Sequence, residues 1–241
     1  MLNMPSVDII IPHYPHPDIM PLAVTCLRTI EKYSSDYRLI FVVNGLGNSD
    51  ELEEELRHHP SLVIRLPKNV GFVKAVNMGL KAIKSPYVVL MNNDTEAVPG
   101  WLEKLREPFR DSVIGAVGPL TNTTKSWQGC VPPTITHTVS ILSHPDAMLA
   151  FFCVMIRKKV IDLIGLLDES FGVGLGDDDD YCARIMNAGY KLAVVRDLVI
   201  PHHHRSTFRT LYSEADILGM QQHAHKIFHQ KYRRSPKGGP C

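Results

Sequence analysis

The first 120 residues alternate short apolar runs with segments of helical spacing, and few folds accept that pattern. Val7-Asp8-Ile9-Ile10-Ile11 reads as a buried strand ended by Pro12. Met20 to Lys32 has helical spacing, with Leu22, Cys26, Leu27 and Ile30 on one face. Arg38 to Val43 is a second strand closed by Asn44-Gly45, and Ser49 to His58 a polar helix opening on a Ser or Asp cap. Leu62 to Leu66, an amphipathic helix from Val70 to Ile83, and Tyr87 to Met91 continue the pattern. Pro99 to Phe109 reads as helix and Val113 to Val117 as strand. Such alternation predicts right-handed βαβ units and an α/β fold: one mostly parallel central sheet with helices on both faces. Sheets of this kind bind ligands at the carboxyl ends of their strands. Pro12-His13-Tyr14, Asn44-Gly45 and Asn92-Asn93-Asp94 should therefore line one crevice.

The second half is less regular. Residues 118–150, with Trp127, His137 and His144, show little periodicity and read as a long excursion over the site. A strand is expected over Phe151 to Ile156, a short helix over Lys158 to Ile164, and loop from Asp168 to Gly176. A last strand spans Leu192 to Ile200, and a basic helix Ser213 to Tyr232. No linker separates two domains: residues 1–212 form one unit, and 213–241 a C-terminal helix and tail packed on it.

Composition excludes more than it selects. A net charge of +1 gives no global argument for nucleic acid. There is no apolar run of the ~20 residues a membrane span needs. Five scattered cysteines without a Cys-x-x-Cys pair point to reduced thiols in the cytoplasm rather than a disulfide framework or zinc site.

Chemistry concentrates in a few places. Asp177-Asp178-Asp179-Asp180 stands before a helical pattern, Tyr181 to Ala188, that stops at Gly189. A helix start favours one or two carboxylates, but four repel one another unless a cation or base neutralises them. Gly172, Gly174 and Gly176 mark a tight backbone path beside them. Asp180 and Arg184 are spaced as a helix-stabilising pair. Asp94 leaves a buried strand at its carboxyl end, where a metal or ribose binds. Asn69-Val70-Gly71-Phe72 with Lys74 and Asn77 opens a helix whose start suits phosphate. In His202-His203-His204, the outer two share a side, and one imidazole with acidic residues suits Mn²⁺. His225 and His229 share a helix face without a third ligand. No Gly-x-Ser-x-Gly elbow or Walker-type loop is present.

Taken in order, these pieces resemble inverting glycosyltransferases of the GT-A fold (family 2, rhamnosyltransferase-like). The resemblance is carried by Ile9 to Tyr14, Asn69 to Asn77, Leu90 to Thr95, Pro99 to Leu102, Gly115 to Pro119, Gly165 to Glu169, Asp177 to Arg184 and the histidine run, over about residues 7–208. It implies transfer of a hexosyl or deoxyhexosyl group from a nucleotide-diphosphate donor (UDP, dTDP or GDP) to a hydroxyl of a glycan or lipid-linked acceptor, as in polysaccharide biosynthesis. Asn92-Asn93-Asp94 matches the family's Asp-x-Asp motif, making Asp94 a ligand for Mn²⁺ or Mg²⁺ with His202 or His204. Asn92 supplies no anionic ligand, which leaves the strictness of metal dependence open. Asp177-Asp178 matches the family's Glu-Asp pair, with Asp178 as general base. Pro12, His13, Tyr14, Asn44, Asn69, Gly71, Lys74, Asn77, Asn92 and Asn93 fall on the donor side, and Trp127, Asp177 and Asp180 on the acceptor side. Asn44 stands where the family often has a base-reading Asp, so the nucleotide stays open. The scattered cysteines place the chain in the cytoplasm, and the basic C-terminal helix leaves peripheral contact at the inner membrane face as an alternative to packing on its own domain. Two rival readings are a catalytically silent nucleotide- or glycan-binding module on the same fold, and a nucleotidyltransferase.

Overall fold

Strands β1 (Val7–His13), β2 (Tyr37–Asn44), β3 (Ser61–Leu66), β4 (Tyr87–Met91), β5 (Ile114–Leu120), β6 (Val139–Leu142), β7 (Cys153–Arg157) and β8 (Lys191–Val199) form one sheet in the order β3-β2-β1-β4-β7-β5-β8-β6. The computed structural model describes residues 6–47, 50–122, 128–129, 138–144, 147–203 and 210–232. Pairings β1–β2, β1–β4, β2–β3 and β5–β8 are parallel, while β7 runs antiparallel to both β4 and β5, and β6 antiparallel to β8. Six strands therefore point one way, and β6 and β7 the other.

Strand alternation sorts side chains to two faces. Ile9, Ile11, Leu39, Phe41, Val89 and Met91 join a core with helices α1 (Met20–Tyr33), α2 (Asp50–Leu56) and α4 (Trp101–Arg106). Ile10, Ile40, Val42, Val88 and Leu90 face α3 (Phe72–Leu80), α5 (Lys158–Ile164) and α6 (Asp177–Asn187) on the other side. The C-terminal helix α7 (Glu214–Tyr232) turns Ile217, Ala224 and Phe228 inward, the last two joining this second core. Among the described residues no helix is long and apolar enough to cross a membrane.

Three boundaries differ from expectation for physical reasons. β1 continues through Pro12 to His13, because pairing with β4 ends at Ile10 and a residue without an N–H is tolerated where the strand has one neighbour. Residues 118–150 are not wholly irregular: they finish β5 and supply β6, a four-residue edge strand too short to show periodicity. Helix α6 starts at Asp177 rather than Tyr181, so the four carboxylates are its first turn rather than its approach.

Gly79 is where α3 lies closest to the sheet. A Cβ there would meet Ile10 Cγ2 at 2.6 Å, so any larger residue lifts the helix off β1. Gly79→Ala is expected to lower stability by about 1–3 kcal/mol through overpacking. Urea unfolding checks this: the midpoint should fall with an unchanged slope.

Candidate active site

The parallel strands deliver their C-terminal ends to one edge, and a cleft of about 300 Å³ opens there. Pro12, His13 and Tyr14 enter it from β1, Asn44 from β2, and Asn92, Asn93 and Asp94 from β4, as the alternation predicts. Asn69, Gly71 and Phe72 form the wall at the start of α3; Val173, Gly174, Leu175, Asp177 and Asp178 form the wall leading into α6. His202 closes the floor.

Backbone pairing makes that floor. β8 points the same way as β4, so its exit lies beside Asp94, and Thr95 and His202 form an antiparallel bridge. His203 N–H donates to Asp94 O (2.9 Å) and Glu96 N–H to Pro201 O (3.1 Å). His202 Nε2 then stands 3.1 Å from Asp94 Oδ1 and 3.4 Å from Asn92 Nδ2. Its ring stacks on Phe152, centroids 5.1 Å apart at 14°. Asn93 Nδ2 donates to His13 Nδ1 (2.8 Å), and burial lowers the His13 pKa to about 4, keeping that imidazole neutral near pH 7.

Asn44 works mainly on the backbone around it. Its Oδ1 accepts from Val70 N–H (2.9 Å), and its Nδ2 donates to Asn69 Oδ1 (3.0 Å) and Gly71 O (3.2 Å). Gly71 has φ 85° and lies so close to the opposite wall that a Cβ would meet Gly172 O and Val173 Cα at 3.1 Å. That closeness lets Phe72 N–H bond to Val173 O (3.2 Å), joining the two walls.

Backbone strain accompanies the acidic wall. Gly172, Gly174 and Gly176 all have positive φ, and so does Leu175 at 74°, where a side chain is disfavoured by roughly 1–3 kcal/mol. The strain turns the chain so that α6 begins with its N–H groups beside the cleft. Burial, then repulsion from Asp178 and Asp180, raises Asp177 to about 8. Burial, then repulsion from Asp178, Asp177 and Asp180, raises Asp179 to about 8. Burial also raises Asp178, but backbone groups of Asp179, Asp178, Gly176 and Phe151 oppose the shift, Asp179 N–H reaching Asp178 Oδ1 at 3.0 Å. Backbone groups of Asp177 and Leu175 oppose the shift at Asp177 as well, whereas none does so at Asp179.

Other expected site residues lie elsewhere. Lys74 is half exposed, its Nζ 4.0 Å from Glu169 Oε2, and does not line the cleft. Asn77 is buried away from the cleft, its amide bonded both ways to the Leu167 backbone (3.0 Å each), where it fixes α3 to the segment before α6. Asp180 is fully buried and occupied by Arg184, Lys231 and Tyr232, so it is an internal anchor rather than an acceptor contact. Trp127 and His204 lie outside the described residues. Sequence reasoning missed Ala150, Phe151 and Phe152, which line the cleft because β7 runs backwards and starts at the edge where its neighbours end; Asn92 N–H bonds Phe152 O at 2.8 Å. It also missed Leu211 and Tyr212, for which the sequence carried no signal.

Residues 8–164, well over half of the chain, match the family model Glycosyl transferase family 2. The chain belongs to that family. Among curated relatives, a pre-mycofactocin glycosyltransferase of Mycobacterium tuberculosis is 26% identical over 222 residues, covering 85% of this chain and 44% of the relative. An N-acetylglucosaminyltransferase of Rhizobium sp. is 32% identical over 130 residues, covering 51% of this chain and 28% of the relative. The chain thus spans less than half the length of these two relatives. A mannosyltransferase from Pyrobaculum calidifontis, solved with GDP-Man and Mn²⁺, superposes with a TM-score of 0.69 at 16% identity, covering 98% of this chain and 66% of that one. S. aureus TarS 1–349, solved with UDP-GlcNAc, gives 0.68 at 13% identity, covering 96% and 68%. At such identities the likeness is one of fold, and the fold is of the GT-A type.

For a family member, a divalent cation is the group to test against the residues. Asp94 Oδ1 and His202 Nε2 face each other on the cleft floor, and one carboxylate with one imidazole suits Mn²⁺. Among the described residues no three His, Cys, Asp or Glu side chains gather as a metal cage. The fit is therefore that of a two-residue set, its remaining positions open to phosphate oxygens and water.

The acidic turn also has a pH signature. Asp177 and Asp179 rise from an unfolded value of 3.8 to about 8, so the folded state binds more protons than the unfolded one between those limits. Their contribution to stability is complete below about pH 4 and is lost as pH rises toward 8. Asp179→Asn removes one of these carboxyls and should flatten the fall in melting temperature between pH 5 and pH 8. Melting curves at four pH values across that range check it; a slope equal to wild type would contradict the assignment.

Proposed function

We propose that this chain is an inverting glycosyltransferase that moves a hexosyl or deoxyhexosyl group from a nucleotide-diphosphate sugar to an acceptor hydroxyl. The observation that carries the reading is one cleft holding the Asp94–His202 pair on its floor and Asp178 on its wall. Family membership supports a sugar-nucleotide donor, and Asp178 at the start of α6 supports a base on the acceptor side.

The chemistry balances as a single displacement. The acceptor oxygen bonds to the anomeric carbon, the bond from that carbon to the diphosphate oxygen breaks, and the acceptor proton passes to Asp178 Oδ. Attack opposite the leaving group inverts the anomeric centre. Asp94 and His202 would hold a divalent cation, which would supply positive charge to the leaving diphosphate. Asn93 fixes the neutral His13 ring, while Tyr14 and the Asn44-ordered turn 69–71 bound the nucleoside side. Burial raises both Asp177 and Asp178, and the reading gives Asp178 the role of base as the second residue of the pair on the cleft wall. The acceptor is read as a glycan or lipid-linked hydroxyl.

A thermal-shift panel of UDP, dTDP, GDP, CDP and ADP with and without Mn²⁺ tests donor binding, since a ligand of the folded state raises apparent stability. One nucleotide should shift the melting temperature more with Mn²⁺ than without, and Asp94→Ala should remove the metal-dependent part. Asp178→Asn should retain the nucleotide shift while sugar transfer drops by roughly 100-fold or more. Nucleotide binding without transfer from any donor would favour the silent module; full turnover in Asp178→Asn would remove that residue from the mechanism.

A further inference from the structure

One buried carboxylate in the acidic turn takes no part in the chemistry above. Asp180 Oδ2 accepts from Arg184 Nε (2.9 Å), and its Oδ1 accepts from Lys231 Nζ (2.6 Å) and Tyr232 Oη (2.7 Å). Lys231 Nζ also donates to Asp168 Oδ2 at 2.9 Å. A single ammonium near the end of α7 thus joins two carboxylates on either side of the glycine-rich loop.

That loop is the wall of the cleft. Val173, Gly174 and Leu175 line it directly before Asp177 and Asp178. Gly172, Gly174, Leu175 and Gly176 all have positive φ, a path that glycine-rich chain leaves readily when its ends are free. Other contacts also bear on it, among them the Phe72 N–H bond to Val173 O on one side and Gly176 against Ala224 of α7 on the other, where a Cβ would lie 3.3 Å away. The Lys231 bridge differs from a surface ion pair, because the Asp180 side chain is 0% exposed and that of Lys231 35%. Charge-assisted bonds in such a setting are among the stronger ones available.

We propose that Lys231 is a positioning residue for Asp178: by clipping Asp168 to Asp180, it holds the glycine loop in the conformation that sets the carboxylate against the cleft. The proposal rests on the reading of Asp178 as the base. It gives α7 a role in the reaction although Lys231 and Asp180 do not line the cleft.

The test uses the full chain with Lys231→Met, Lys231→Arg and Asp168→Asn. Asp168→Asn leaves all three donors on Asp180 and keeps an oxygen for Ser170 N–H, so it breaks the clip with less disturbance to the fold than Lys231→Met. Amide hydrogen exchange at residues 172–176 reads the clip without any turnover. Steady-state transfer and the Kd for the nucleotide diphosphate read its consequence. In Lys231→Met and Asp168→Asn, exchange should rise about tenfold. In the same variants kcat should fall roughly 10- to 100-fold, with Kd within about twofold. Lys231→Arg should stay near wild type in every measure. Unchanged exchange in both variants overturns the clip. Raised exchange with unchanged kcat overturns the positioning role. If the wild type transfers no sugar, or Asp178→Asn keeps full turnover, the base reading fails and the positioning role with it, while exchange still decides the clip.

Discussion

β7 enters the sheet against the direction of both its neighbours, and its hydrogen bonds to β4 on one side and β5 on the other join the two halves of the molecule. A parallel strand in that position would carry Phe151 and Phe152 to the far edge. Running backwards, it begins where β4 ends, so Phe152 lies under His202 and its carbonyl receives Asn92 N–H. Because β5 and β8 then resume the direction of β4, the exit of β8 meets the exit of β4, and the Thr95–His202 bridge follows. The Asp94–His202 pair is thus a consequence of strand direction, with backbone bonds holding both side chains before any ligand arrives.

The opposite wall is built on electrostatics rather than on strand pairing. Four aspartates in one helical turn are tolerated because they do different things. Asp180 is neutralised by Arg184 and Lys231, burial raises Asp177, Asp178 and Asp179, and backbone groups oppose that rise at Asp177 and Asp178. Strained backbone at Leu175 sets the angle at which this turn meets the cleft. Strain of that kind persists when its surroundings over-determine it, and here α3, α6 and α7 all bear on the loop.

Much of this was legible from residue order. The alternation of apolar runs and helical faces predicted the sheet, and the strand ends bearing Pro12 to Tyr14, Asn44 and Asn92 to Asp94 converge as expected. Lys74 and Asn77 were placed wrongly because a helix start close to the cleft does not say which way its later turns face. Asn77 faces the buried segment near Leu167, and Lys74 faces Glu169 and solvent. The antiparallel sense of β7 left no mark either, since an apolar run reads the same in both directions, and the aromatic pair before it looked like more strand.

The sequence by itself determined which elements form and which ends carry polar groups, because periodicity and turn chemistry are local properties of the chain. It also marked the acidic turn, since four adjacent carboxylates are conspicuous wherever they lie. Only the tertiary structure decided their division of labour. Lys231 lies 51 residues from Asp180, and the burial that raises Asp177 depends on what packs over it. Hydrogen-bond partners and dielectric surroundings are set by contacts between distant segments, which residue order does not contain.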